Sequence, residues 1–126
     1  MKANQNILIY GGATASRTLF ESVSRIPDYT PTPLPLDNSV PPMNEDLAAR
    51  LEYLHPVAQL KAAIVDTTYV DQISVIKENC PNLPIILLSQ SRDVRAERQV
   101  FPTPQDTLDK RLRQALKEVI RWSFKN

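Results

Sequence analysis

Apolar residues recur along this chain in two alternating rhythms. Ile7-Leu8-Ile9-Tyr10, Ala62-Ala63-Ile64-Val65 and Ile85-Ile86-Leu87-Leu88 are unbroken apolar runs. A strand reads this way when helices cover both of its faces. Between and after them the spacing changes to three and four residues. Leu19, Phe20, Val23 and Ile26 form one such stripe, Leu47, Leu51 and Leu54 a second, and Val70, Ile73, Val75 and Ile76 a third. Near the end Leu108, Leu112, Ala115, Val119 and Trp122 form a fourth, flanked by Leu116, Ile120 and Phe124. These are one-sided helices.

Punctuation sharpens the boundaries. The first strand, Ile7 to Tyr10, runs into Gly11-Gly12, the chain's two glycines, and Thr14 or Ser16 caps the helix that follows until Pro27. Asn44-Glu45-Asp46 opens the next helix and His55-Pro56 is expected to end it. Lys61 to Asp66 is a strand ending in a carboxylate, and the helix after it closes at Pro81. Pro84 to Ser89 is a strand ending in a hydroxyl. Gln90 to Gln99 is polar and Arg-rich, a short or frayed helix at most, and Val100-Phe101 is a brief strand broken by Pro102. Thr103-Pro104-Gln105-Asp106 starts the last helix with a cap, a proline and an acid.

Residues 27–44 hold six of the eleven prolines, and Thr30 to Leu36 has proline at every second position. Such a strand lacks donors along one side while Thr32, Leu34 and Leu36 pair on the other, which suits a sheet edge. A polyproline-like loop is the competing reading. The edge strand fits the alternation of strands and helices, which predicts a flavodoxin-like α/β fold: a doubly wound, parallel, five-stranded sheet of order 2-1-3-4-5.

Composition narrows the rest. At 126 residues and 42% hydrophobic, the chain suffices for one domain, 1–126, with one core. Its last helical pattern, 104–126, still runs at Asn126, so a domain excised from a longer protein is expected, with that helix heading toward a linker. A net charge of +1 gives no global field toward nucleic acid or membrane. Cys80 is the one cysteine, which fits a reducing compartment, and no apolar run reaches the ~20 residues of a membrane span. The expectation is a cytoplasmic protein with no membrane contact. Basic residues at 92, 95, 98 and along the last helix interleave with Asp93, Glu97, Asp106, Asp109 and Glu118. That pattern predicts i,i+4 pairs on a solvated or partner-facing surface and no direct DNA contact.

In this sheet order, strands one, three, four and five end at one mouth, which brings Gly11, Gly12, Asp66, Ser89 and Phe101 together. Ala63-Ile64-Val65-Asp66, Asn79 through Ser89, and Phe101-Pro102 together resemble the receiver domains of bacterial response regulators, along nearly the whole length. The resemblance implies a CheY-like fold, Asp66 at the phosphoacceptor position and Ser89 at the position that senses the phosphate. In that family an acidic pair after the first strand holds Mg²⁺, and a lysine before a proline follows the fifth strand. Here Tyr10, Gly11 and Gly12 stand at the first and Phe101 at the second. Phosphoryl transfer to a carboxylate needs its gathering negative charge offset. Asp66 is therefore expected to be a vestigial phosphoacceptor that caps the next helix, in a non-enzymatic domain without catalytic residues, metal or cofactor.

Ser16-Arg17-Thr18-Leu19, the short polar segment before strand five, and Phe101-Pro102 are similar to the N-terminal domains of NtrC-type sigma-54-dependent activators of the FleQ flagellar-regulator group. That likeness implies transcription regulation beside an adjacent AAA+ ATPase domain, with homodimerisation. Leu112, Leu116, Val119, Ile120, Trp122 and Phe124 are the expected dimer or interdomain surface, because two apolar stripes exceed what one face needs. The alternative is a small-ligand sensor that cradles a phosphate or nucleotide at Gly11-Gly12. A weakly active phosphoacceptor using Asp71 as a substitute metal ligand is a third.

Overall fold

The computed structural model describes residues 5–11, 13–27, 29–33, 43–89, 96–100 and 105–125. Strand β1 (Gln5–Tyr10) is followed by α1 (Ala13–Ser24), β2 (Tyr29–Pro33) and α2 (Asn44–Ala58). Then come β3 (Leu60–Asp66), a 3-10 helix (Thr67–Gln72), α3 (Ile73–Asn79), β4 (Ile85–Leu88), β5 (Arg98–Val100) and α4 (Gln105–Lys125). All strand pairings are parallel and the order is β2-β1-β3-β4-β5, the topology the sequence predicts.

The apolar runs are buried on both sides because each residue parity serves a different helical layer. Ile7 and Ile9 of β1, Ala62 and Ile64 of β3 and Ile86 and Leu88 of β4 face α1 and α4. Leu8, Tyr10, Ala63, Val65, Ile85 and Leu87 face α2 and α3. Leu60 joins Ala63 in the second layer despite the odd spacing, because the register slips between Asn6 and Ile7 and leaves Lys61 as an exposed extra residue.

Strand β2 lies at the edge, with Pro31 level with Ile7 and Pro33 level with Ile9. Proline has no N–H to donate, so any bond donated from here to β1 comes from Thr30 or Thr32. The ladder settles the strand-or-loop question for these residues; Leu34 and Leu36 lie outside the described ones.

Several boundaries differ from expectation. Helix α2 runs through His55 and Pro56 to Ala58, and Gln59 with φ 53° stops it. A proline removes one i→i−4 bond, whereas a left-handed residue turns the chain off the helix axis. Strand β5 begins at Arg98, inside the segment expected to be polar loop or frayed helix; 90–95 and Phe101 lie outside the described residues. Phe20 is 43% exposed and does not join the α1 stripe.

The largest correction concerns α4. Leu112, Leu116, Val119 and Ile120 are all buried in the core shared with α1 and the sheet. The described members of both apolar stripes are used within the chain, since α4 packs on α1 and on β3, β4 and β5 together. Those four residues are therefore not a displayed dimer surface. The side chains of Trp122 and Phe124 lie outside the described ones.

Candidate functional site

The carboxyl ends of the strands meet as the topology requires. Tyr10 is level with Val65, which brings Gly11 level with Asp66, and Asp66 is level with Leu88, one residue before Ser89. Asp66, Ser89 and Gly11 thus share one edge; Gly12 and Phe101 lie outside the described residues.

Gly11 is buried, and no described glycine has a positive φ. Of the two reasons for a glycine here, close packing applies and a left-handed turn does not. Asp66 is half-buried at the start of the 3-10 helix, with φ −77° and ψ 152°, and its side chain makes no capping hydrogen bond. The expected capping role is not realised. The Ser89 hydroxyl donates to Thr67 Oγ1 at 3.3 Å. The Ser89 backbone is held against β5, its N–H donating to the Val100 carbonyl at 3.1 Å and its carbonyl accepting from Gln99 Nε2 at 2.7 Å. This edge therefore presents one carboxylate with two linked hydroxyls beside it.

Beneath it lies an aromatic pair that sequence reading did not find. Tyr10 and Tyr69, both fully buried, stack with ring centroids 4.6 Å apart and planes 19° from parallel. Offset stacks at this separation add roughly 0.5–1.5 kcal/mol beyond area burial. The Tyr10 hydroxyl donates to Gln72 Oε1, and Gln72 Nε2 donates to Asn44 Oδ1 at 3.2 Å. One polar chain thereby joins the end of β1, the 3-10 helix and the start of α2. Burial pushes the Tyr10 phenol well above the ordinary range; Tyr69 adds to the shift and Arg50 opposes it. Tyr69 is raised by burial first and by the Asp66 charge second, and its hydroxyl is a buried atom without a hydrogen-bond partner among the described residues. Both phenols are neutral at physiological pH. Among the described residues no three His, Cys, Asp or Glu side chains gather to hold a metal.

Charges are placed differently from the expected i,i+4 pattern. Glu97 pairs with Lys77 of α3 and accepts the Ile85 N–H at 2.6 Å. Burial lowers the Lys77 pKa. Arg98 pairs with Glu118 across a recess of about 310 Å³ between β5 and α4, and Arg25 pairs with Asp109 at 3.2 Å. These pairs join elements, while Arg17–Glu21 is an i,i+4 pair at 3.7 Å.

No protein-family model matches the sequence, and no curated protein matches it. Solved structures do resemble it. The response regulator domain of Thermotoga maritima CheB superposes with a TM-score of 0.66 at 9% identity, over 95% of this chain and 98% of that one. A LuxR-family two-component response regulator from Aurantimonas sp. SI85-9A1 gives 0.65 at 11%, over 95% and 86%. The RcsB response regulator of Salmonella typhimurium gives 0.61 at 18%, over 98% and 68%. At these identities the likeness is one of architecture, and with the strand order above it shows that this chain has the CheY-like fold of response-regulator receiver domains.

Proposed function

We propose that this chain is a receiver-like regulatory domain that takes no phosphoryl group and passes its signal by surface contact. The observation that carries the reading is the end of β1. Where receiver domains place acidic residues, this chain has Tyr10, stacked on Tyr69 and bonded to Gln72, followed by buried Gly11. Asp66 is then the one carboxylate that the described strand ends supply. Mg²⁺ is bound through one or two carboxylates plus the substrate's phosphate, and a buried, hydrogen-bonded phenol is a poor substitute. Among the described residues Asp66 stands without the acidic pair that the resemblance implies for holding that ion. Losing a group that stabilises transition-state charge costs on the order of a hundredfold or more in rate.

The wider setting follows the motif likeness: an N-terminal module of an NtrC-type, sigma-54-dependent activator of the FleQ flagellar group. It would act as a homodimer on an adjacent AAA+ domain in the cytoplasm, without touching DNA itself. Since Leu112, Leu116, Val119 and Ile120 are core residues, an apolar dimer contact on α4 would fall to Trp122 and Phe124. The test is regulated transcription by the full-length protein. Asp66→Ala should leave regulation as in wild type, whereas deleting residues 1–126 should abolish it. Loss of regulation in a folded Asp66→Ala protein would overturn the reading.

A further inference from the structure

The chain is close to neutral overall, yet its two helical layers are oppositely charged. Helix α4 carries six Lys and Arg against three acids. Two of those acids are engaged by other groups, Asp109 by Arg25 and Glu118 by Arg98 and by Gln114 Nε2 at 2.8 Å. Lys110, Arg113 and Lys117 are exposed and have no acidic partner among the described residues. They are neighbours at i,i+3 and i,i+4, a like-charge spacing that disfavours the helix. Helix α2, on the other side of the sheet, carries three acids against one arginine. Glu45, Asp46 and Glu52 are exposed, and Tyr53 beside them is 75% exposed.

The two faces match in spacing as well as sign. Lys110, Gln114 and Lys117 are four and three residues apart, and so are Glu45, Ala49 and Glu52, all six exposed. Each row spans about 10 Å at 1.5 Å per residue. Ala49 leaves room between its two carboxylates, opposite Gln114. A large exposed aromatic at the margin of a charged row is the residue type that anchors protein contacts.

From this complementarity we infer that the outer face of α4 binds the outer face of α2 on a second copy of this chain. Because the faces lie on opposite sides of one sheet, the contact is head-to-tail and leaves a free face at each end, so it extends into a ring or an open chain. Exposed ion pairs are individually weak and screened by salt. The association is accordingly one of high concentration and low ionic strength.

Sedimentation of the 126-residue chain at several hundred micromolar tests this. The apparent association constant should fall about tenfold between roughly 50 mM and 500 mM NaCl. Lys110→Glu/Lys117→Glu and Glu45→Lys/Glu52→Lys should each be folded by circular dichroism and monomeric alone. Mixed in equal amounts they should associate again, since the wild-type α4 row of one variant meets the wild-type α2 row of the other and the two charge-reversed rows also complement each other. A wild-type chain that stays monomeric at low salt would overturn the inference, as would association surviving in either variant. So would a mixture that does not pair, or a strip that proves to bind duplex DNA without self-association. None of these outcomes bears on whether Asp66 takes a phosphoryl group.

Discussion

Replacing Tyr10 with phenylalanine removes one oxygen from the chain that ties β1 to the 3-10 helix and α2. The ring, its burial and its stack on Tyr69 stay in place. What is lost is the donor to Gln72 Oε1, and Gln72 is itself buried. Losing one buried hydrogen bond costs about 0.5–1.5 kcal/mol. For a domain whose whole stability is about 5–15 kcal/mol, this is a visible fraction. The assay is urea unfolding followed by circular dichroism, where the midpoint should fall with little change in slope. A cycle with Gln72→Met isolates the bond: the double variant should cost less than the sum of the singles by about 0.5–3 kcal/mol. Strict additivity, or a Tyr10→Phe protein as stable as wild type, would show that the bond does not support the mouth.

Three further outcomes follow from the packing and the charges. Burial raises both Tyr10 and Tyr69, so folded phenols hold their protons above the unfolded value of about 10. That contribution to stability is complete below about pH 10 and is lost as pH climbs through the folded values, so unfolding and phenolate absorbance should rise together in an alkaline titration. Leu116→Ala, in the core rather than on a surface, should cost about 2–5 kcal/mol at any protein concentration, and a loss that appears only on dilution would restore an interface role. Glu97→Ala strands both Lys77 and the Ile85 N–H, and thermal unfolding should show a loss of about 2–4 kcal/mol, against little effect if the pair is merely superficial.

The sheet was legible because its strands are apolar on both faces and its helices on one, two periods that do not imitate each other. Asp66 and Ser89 could be placed at one edge for the same reason: each ends such a run, and parallel order brings the ends together. The aromatic pair was not legible. Tyr10 and Tyr69 are 59 positions apart, and whether their rings meet depends on which way the parity of β1 falls. The end of α2 was misjudged because Pro56 signals a break locally, while the structure stops the helix at Gln59. The double stripe of α4 is wider than one helix neighbour needs because the helix lies across three strands and beside α1. The interleaved charges misled in a related way: spacing along one helix could not show that Asp109 and Glu118 reach other elements.

The most direct test of the central claim is the intact mass of the chain after incubation with acetyl phosphate and Mg²⁺. If Tyr10, Gly11 and a solitary Asp66 leave nothing to offset phosphoryl charge, the mass stays that of the unmodified protein throughout. A gain of one phosphoryl group that disappears in the Asp66→Asn variant would contradict the account.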